Sequence, residues 1–173
     1  MQQRWNGQLI DRSDGLFLLF ERPVDALGFA LDYQRDLQAL GEQRKVELRA
    51  RAGLHVGDVL TWENSPEAVK VGAKSMEVEG LAKPMAARLM TLARPGQILM
   101  SAVAESLTRR AADALGERGE RLLWKSHGRW RVKGMPTVQE GIEVGAIGYA
   151  PLRPPRANAK ERRELPLWRQ PRE

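Results

Sequence analysis

The chemistry available to this chain is limited by the side chains that it lacks. Its 173 residues include no cysteine and two histidines, His55 and His127. Disulfides, thiolate metal sites, a cysteine nucleophile and a zinc centre of several imidazoles are therefore excluded. His55 falls in a predicted strand and is expected to be structural, whereas His127 falls in a predicted turn and is expected to face solvent. Carboxylates and cationic side chains remain as the groups to consider.

Positive charge is concentrated near the C-terminal end of the sequence. The chain has 28 lysines and arginines against 22 acids, a net charge of +6. Seven of these basic residues and three of the acids lie in residues 148–173, which therefore carry +4 of that total. The segment lacks aromatic residues interleaved with arginine at stacking spacing, so nucleic acid is not an expected partner.

Membrane insertion is not indicated by the sequence. No apolar run approaches the roughly 20 residues that span a bilayer. The opening residues Met-Gln-Gln-Arg-Trp-Asn-Gly contain no apolar stretch and do not resemble a signal peptide. We therefore expect a cytoplasmic protein without a membrane partner.

The elements that must position the charged groups follow an α+β pattern. An Asp-Gly turn precedes the apolar run 16–20, which predicts a hairpin and a strand covered on both faces. Apolar residues three and four apart predict a helix over 24–43, and alternation over 47–56 predicts a strand with one wet face. The later segments predict, in order, a long loop over 61–79, a helix over 81–92, a strand over 98–100, a helix over 101–115, and strands over 122–124, 129–132 and 138–144.

This order predicts a mainly antiparallel sheet with helices packed on one face. Residues 1–147 are expected to form the domain. Residues 148–173, rich in proline and arginine, are expected to form a basic tail or linker that buries little surface.

Four segments in the right order resemble the class III nucleotidyl (adenylate/guanylate) cyclase domain. The turn and strand at 13–20, with the helix that follows, resemble the Gly-Asp-Gly hairpin of that family, and 48–59 resembles its Leu-Arg-x-Arg strand. Residues 80–101 resemble its Ala-Ala-Arg-Leu helix and Pro-Gly-Gln-Ile-Leu-x-Ser strand, and 133–143 resembles its closing Lys-Gly segment. The resemblance spans residues 7–144.

The resemblance implies a ferredoxin-like βαββαβ core and head-to-tail dimers with active sites at the interface. It also implies that the family's first strand and helix, with its first metal-binding aspartate, are missing before Gly7. A sheet without them has an uncovered edge, so we expect a homodimer. We further expect the strands at 16–20 and 48–56 to be neighbours in the centre of the sheet.

The implied reaction is attack of a ribose 3′-hydroxyl on the α-phosphate of ATP or GTP, with release of pyrophosphate. In the family two Mg²⁺ or Mn²⁺ ions, held by two aspartates, assist this step. Asp14 matches the second aspartate and is the implied metal ligand. An equally supported interpretation is that Asp14 caps its own turn, because one carboxylate alone binds Mg²⁺ weakly.

Two further positions of the family select the nucleotide base. Ile10 stands where the family has its purine-selecting lysine, and a turn shorter by one residue would place Arg12 there instead. Glu77 matches the second base-selecting position, where a carboxylate could accept from adenine or guanine. The alternative for Glu77 is a solvated loop acid.

The transition-state pair of the family is an asparagine and an arginine, four residues apart on a helix. Arg88 matches the arginine, which stabilises phosphate charge. Pro84 stands at the asparagine position and offers no side-chain donor to the ribose. The alternative for Arg88 is a helix arginine whose stem packs and whose head meets Glu77 or Glu79.

These matches and losses leave two functional hypotheses. In the first, the chain is a catalytically degenerate cyclase-like domain that senses a purine nucleoside triphosphate or dimerises as a regulatory module in signalling. In the second, it is an active adenylate or guanylate cyclase once a partner or the missing N-terminal segment completes the site. Because a metal ligand and the ribose-orienting donor are both missing, we expect cyclase activity of the chain alone to be weak or absent.

Overall fold

The computed structural model describes residues 3–13 and 15–164. In chain order these residues form β1 (Gln8–Asp11), β2 (Phe17–Leu19), α1 (Pro23–Arg44), β3 (Ala52–Leu54), β4 (Leu60–Glu63), α2 (Pro66–Lys70), β5 (Met76–Glu79), α3 (Ala82–Leu92), β6 (Ile98–Ser101), α4 (Ala102–Arg110), α5 (Glu117–Glu120), β7 (Leu122–Val132), β8 (Gln139–Ala146) and β9 (Glu161–Arg163). Short 3₁₀ turns lie at Gln3–Trp5 and Ala112–Leu115. Among the described helices, none is long and apolar enough to cross a membrane, and the cytoplasmic location stays a prediction.

The central sheet contains five strands in the order β3-β6-β8-β7-β9. The β3–β6 pair is parallel, and the other three pairs are antiparallel. The α+β class and the mainly antiparallel sheet expected from the sequence are therefore confirmed. In the last pair Val132 lies opposite Glu161, so these two side chains share one face of the sheet.

Helices cover both faces of this sheet, which corrects the expectation that they pack on one face. On β6, Ile98 and Met100 join a core with α1 and α4, whereas Leu99 joins a second core with α3. Successive side chains of a strand point to opposite faces, so an apolar run such as 98–100 needs cover on both. Gly53 on β3 allows α3 to approach closely, because a Cβ there would lie 2.2 Å from the Ala86 carbonyl oxygen.

Helix α1 confirms the helix predicted over 24–43. Pro23 occupies its first turn, where a missing N–H is tolerated, and Lys45 ends it in the left-handed region at a φ of 54°. Two acidic side chains on α1 are buried, those of Asp25 and Asp32. The Asp32 carboxylate is 2% exposed; it accepts a hydrogen bond from Trp5 Nε1 at 2.8 Å and forms ion pairs with three arginines. These are Arg4, Arg35 and Arg118.

Two small hairpins lie outside the central sheet. Strand β2 pairs with β1, and β3 pairs with β6, so the expectation that the strands at 16–20 and 48–56 are neighbours is wrong. The local patterns indicated two strands but carried no information on their partners, which long-range contacts select.

The predicted loop over 61–79 is instead the hairpin β4–β5 with α2 between its strands. Ser65 begins α2 by accepting a hydrogen bond from Ala68 N.

Residues 151–164, which we call the C-terminal strap, pack against the sheet. Leu152 N donates to Glu143 Oε1 at 2.8 Å, Arg94 Nε donates to the Pro154 carbonyl at 2.6 Å, and β9 extends the sheet beside β7. The strap is thus bonded to the domain, while nine of its fourteen residues are exposed and two, Pro155 and Glu161, are buried. Residues 165–173 lie outside the described residues, and the domain division at 147 stays a prediction.

Candidate functional site

The hairpin β1–β2 and the segment leading into β5 are joined by an ion pair between Asp11 and Lys74. Lys74 Nζ lies 2.5 Å from Asp11 Oδ2, and Ser13 N donates to Asp11 Oδ1 at 3.0 Å. The Lys74 ammonium, followed by the Ser13 N–H, holds the pKa of the Asp11 carboxyl well below its usual range. Asp11 in turn raises the pKa of Lys74. This pair brings the turn that follows β1 towards the strand that carries Glu77.

Two of the predicted base-binding residues lie on these two joined elements. Glu77 is a half-buried residue of β5 opposite Trp62, and Asn64 Nδ2 lies 3.5 Å from its Oε1. Glu77 is therefore a strand residue, which corrects the alternative that it is a loop acid. Arg12 follows β1 and is exposed, and Ile10 is half-buried on β1. Asp14, the predicted metal ligand, lies outside the described residues.

The Asp11–Lys74 pair was missed by sequence reasoning. Each residue alone is an ordinary surface charge, and the two come from distant segments of the chain. The sequence offered one indication, that Asp11 is next to Arg12 and Lys74 is three residues before Glu77. Closeness in sequence to a candidate residue does not identify an ion-pair partner, so the pair becomes visible when the hairpin is placed against β5.

Helix α3 begins beside this region and carries Pro84 in its first turn. Gly80 precedes the helix at a φ of 130°, and a Cβ there would lie 2.6 Å from the Asp58 carbonyl oxygen, so glycine is required. Pro84 is exposed, and its missing N–H disturbs little in a turn whose N–H groups lack intrahelical acceptors. Lys83 Nζ lies 5.5 Å from the centre of the Phe17 ring, a cation–π contact between α3 and β2.

Arg88 lies one turn further along α3 and meets an acid that the sequence did not indicate. Its Nε is 3.5 Å from Oε1 of Glu161 on β9, with the Arg88 side chain 30% exposed and that of Glu161 fully buried. This corrects the alternative that Arg88 pairs with Glu77 or Glu79. The register of β9 on β7 places Glu161 opposite Val132, on the face that α3 covers. Local sequence carries no information on this register.

A second buried carboxylate, Glu143 on β8, holds the beginning of the C-terminal strap. Its Oε2 accepts from His127 Nε2 at 2.6 Å and from Gln97 Nε2 at 2.8 Å. Gln97 Nε2 also donates to the Arg153 carbonyl at 2.5 Å. His127 is 5% exposed, so the expectation that it faces solvent is wrong. It lies within β7 beside a register shift, which turns its ring inward.

The described residues contain no cluster of metal ligands, and the implied ligand Asp14 lies outside them. Within residues 3–13 and 15–164 there is no group of three or more histidine, aspartate or glutamate side chains that could hold a metal ion. Asp11, the acid nearest in sequence to Asp14, is occupied by Lys74. We therefore derive no step through Mg²⁺ or Mn²⁺.

The structure brings Arg12 and Glu77 onto neighbouring elements through the Asp11–Lys74 pair, whereas it pairs Arg88 on α3 with Glu161. A guanidinium matches phosphate oxygens, and a carboxylate accepts from base edges. Position 84 supplies neither a donor nor an acceptor to a ribose hydroxyl.

Comparison with solved structures places the fold among nucleotide cyclases. An adenylate/guanylate cyclase/hydrolase from Silicibacter pomeroyi is 23% identical, with 85% of this chain and 77% of that chain covered at a TM-score of 0.64. The adenylyl cyclase CyaB from P. aeruginosa is 14% identical, with 83% and 74% covered at a TM-score of 0.66. An adenylate cyclase from Trypanosoma brucei, solved in its monomeric state, is 20% identical, with 83% and 73% covered at 0.61.

Sequence comparison alone does not reach this result, since no protein-family model and no curated protein matches the chain. At identities of 14–23% the likeness in structure concerns the fold. It agrees with the motif order read along residues 7–144 and with the mixed sheet described above. The chain has the class III nucleotidyl cyclase-like fold, with a mainly antiparallel sheet of the ferredoxin-like type.

Proposed function

We propose that this chain is a cyclase-like signalling domain that binds a purine nucleoside triphosphate without converting it, and that it serves as a dimerising regulatory module. The observation that carries the proposal is Pro84 in the first turn of α3. The resemblance assigns this position to the group that orients the ribose, and a pyrrolidine ring offers neither a hydrogen-bond donor nor an acceptor. Loss of one such preorganised donor typically lowers kcat by about 10²–10³.

Binding is proposed to rest on three residues of this chain. Arg88 would hold phosphate oxygens, because its guanidinium presents several N–H donors in a planar fork and is 30% exposed. Glu77 would accept a hydrogen bond from the purine edge. Arg12 would contact the base from the turn after β1. Asp14 remains the proposed ligand should a divalent ion accompany the triphosphate, and a single carboxylate would hold it weakly.

The proposal is tested by measuring turnover and binding on the same protein. Incubated with ATP or GTP and Mn²⁺, the purified chain should produce no cyclic nucleotide above background. Calorimetric titration should detect binding of ATP or GTP, and Arg88→Ala should abolish it. Arg110→Ala, a change of an exposed arginine at the end of α4, is the matched control and should bind as the unmodified protein does.

Two outcomes would contradict the proposal in different ways. Robust production of cyclic nucleotide would support the second hypothesis, an active cyclase, and would require a substitute for the missing asparagine, with Lys83 the first candidate. Absence of any binding would remove the nucleotide-sensing role. Dimerisation is tested separately by light scattering at micromolar concentration, where twice the mass of one chain is expected.

A further inference from the structure

Glu161 on β9, the buried partner of Arg88, has an unusual environment. It is fully buried, and within residues 3–13 and 15–164 neither of its carboxylate oxygens accepts a hydrogen bond. Within the same residues, it forms an ion pair with Arg88, whose Nε lies 3.5 Å from Glu161 Oε1. A buried carboxylate normally has several donors around it, because removing its hydration costs several kcal/mol. The charge of Arg88 therefore provides the compensation for burying Glu161.

The rest of β9 is held by contacts of modest strength. Three residue pairs join it to β7, extended by hydrogen bonds from Lys133 N to the Lys160 carbonyl and from Glu164 N to the Arg129 carbonyl. Glu164 also forms ion pairs with Arg129 and Arg131, whose side chains are about 70% exposed. Exposed pairs of this kind contribute little and are weakened by salt.

The turn at residues 158–161, which leads into β9, is held by hydrogen bonds within itself. Asn158 Oδ1 accepts from Lys160 N at 2.8 Å and from Glu161 N at 3.0 Å, and Asn158 N donates to the Glu161 carbonyl at 2.9 Å. These bonds stay within residues 158–161, so they are kept when β9 leaves the sheet. The strap is held separately further upstream, through Leu152, Arg153 and Pro154.

We propose that Glu161 is an internal competitor of phosphate for Arg88, and that binding of a polyphosphate releases β9 from β7. The inference rests on the proposed nucleotide site at Arg88. Phosphate oxygens that take the guanidinium leave Glu161 as a buried charge without compensation. The Glu161 carboxylate is hydrated again when it moves out of the buried position into solvent, and β9 detaches from β7 with it. Nucleotide binding is thereby converted into a change of the C-terminal segment, which is the output a regulatory module requires.

The release step is tested without any nucleotide by hydrogen exchange of the β9 amides. Arg88→Ala removes the compensation and should accelerate exchange by about tenfold or more at the Arg162 amide of β9 and at the Glu164 amide, which donates to the Arg129 carbonyl. The double variant Arg88→Ala/Glu161→Gln removes the buried charge as well and should restore protection to within about threefold of the unmodified protein. Exchange at β6 serves as the internal control, because it should stay slow in every folded variant.

The ligand step is tested with inorganic tripolyphosphate and, separately, ATP. In the unmodified protein, saturating tripolyphosphate should accelerate exchange at β9. Glu161→Gln should bind tripolyphosphate about tenfold more tightly and keep β9 protected when bound. Glu164→Gln, which removes a carboxylate from the same strap away from Arg88, should bind within about twofold of the unmodified protein and still open.

The two proposals fail in distinguishable ways. If Arg88→Ala leaves β9 protected, or the double variant is as open as the single one, Glu161 is not a competitor and the inference is wrong, whatever binds. If tripolyphosphate and ATP bind while β9 stays protected in the unmodified protein, the inference is again wrong and the nucleotide site stands. If neither probe binds any variant, including Glu161→Gln, the proposed site at Arg88 is wrong.

Discussion

Glu143 and Glu161 are both fully buried and both lie where the C-terminal strap meets the sheet. Glu143 accepts three hydrogen bonds, from His127, Gln97 and the Leu152 N–H. Glu161 faces Arg88 at 3.5 Å, and in the described part of the chain its oxygens accept none. The two carboxylates are therefore equally buried but differ in the number of hydrogen bonds that they accept. A buried carboxylate with several donors holds its neighbours in place, whereas one without donors is easily displaced.

The difference divides the strap into a fixed part and a releasable part. Around Glu143 on β8, the side chains of Gln97, just before β6, and of His127 on β7 bond to the carboxylate, and Glu143 and Gln97 bond to the backbone at 152–153. Around Glu161, one arginine of α3 supplies the compensation, and that arginine is the residue proposed to hold phosphate. A ligand at Arg88 would thus act on one end of the strap and leave the other in place.

The largest effect is expected from Glu143→Leu. The substitution leaves the His127 ring N–H and the Leu152 N–H buried without an acceptor, so the free energy of unfolding should fall by about 3–5 kcal/mol. Urea unfolding followed by circular dichroism measures the loss. A change below about 1 kcal/mol would show that the cluster is not what holds the strap.

The matched substitution Glu161→Leu is expected to act in the opposite direction. It removes a buried charge that has few partners, and Arg88, whose side chain is 30% exposed, can be solvated by water, so the free energy of unfolding should stay the same or rise by about 1 kcal/mol. The same urea experiment applies. A loss comparable to that of Glu143→Leu would make the two glutamates equivalent and remove the distinction between the two parts of the strap.

A smaller effect is expected from His55, which contributes a pH dependence to the free energy of unfolding. The glutamate variants should therefore be compared with the unmodified protein at one pH. Nδ1 of His55 lies 2.7 Å from Ser101 Oγ, and burial lowers the pKa of its imidazole below the usual value of about 6.5. Between the lowered pKa and about 6.5 the unfolded chain binds a proton that the folded chain does not. Stability should therefore be complete above about pH 6.5 and fall as the pH drops below it.

The variant His55→Asn isolates this contribution. Its side-chain oxygen can still accept from the Ser101 hydroxyl but does not titrate, so the slope of stability between pH 5 and 7 should be smaller than in the unmodified protein. Urea unfolding across this pH range provides the measurement. An unchanged slope would assign the pH dependence to other groups.

The smallest effect is expected from Glu164→Gln, a substitution of the half-buried acid that follows β9. Its partners Arg129 and Arg131 are largely exposed, so the free energy of unfolding should change by about 0–1 kcal/mol. The difference from the unmodified protein should vanish in about 0.5 M salt, because screening removes interactions between exposed charges. A larger change that persists in salt would mean that Glu164 holds β9 in place.

The fold class could be predicted from the sequence to a greater extent than the site. The order of four motifs over 7–144 indicated a cyclase-like α+β domain, which the structural neighbours support. The sheet neighbours of the strand at 16–20, the cover on both faces of β6 and the hairpin within 61–79 were not predicted. Strand pairing joins segments far apart in the chain, and the side-chain alternation of one strand does not identify its partner.

The sequence by itself determined the helix α1, whose hydrogen bonds and apolar spacing lie within a few residues of one another. It also determined what Pro84 cannot do, because the lack of a donor is a property of the side chain in any environment. The tertiary structure decided that Arg88 meets Glu161, that His127 is buried against Glu143, and that Lys74 pairs with Asp11. Each of these contacts depends on the register or packing of distant elements, and the strength of an ionic contact depends on the burial that this packing creates.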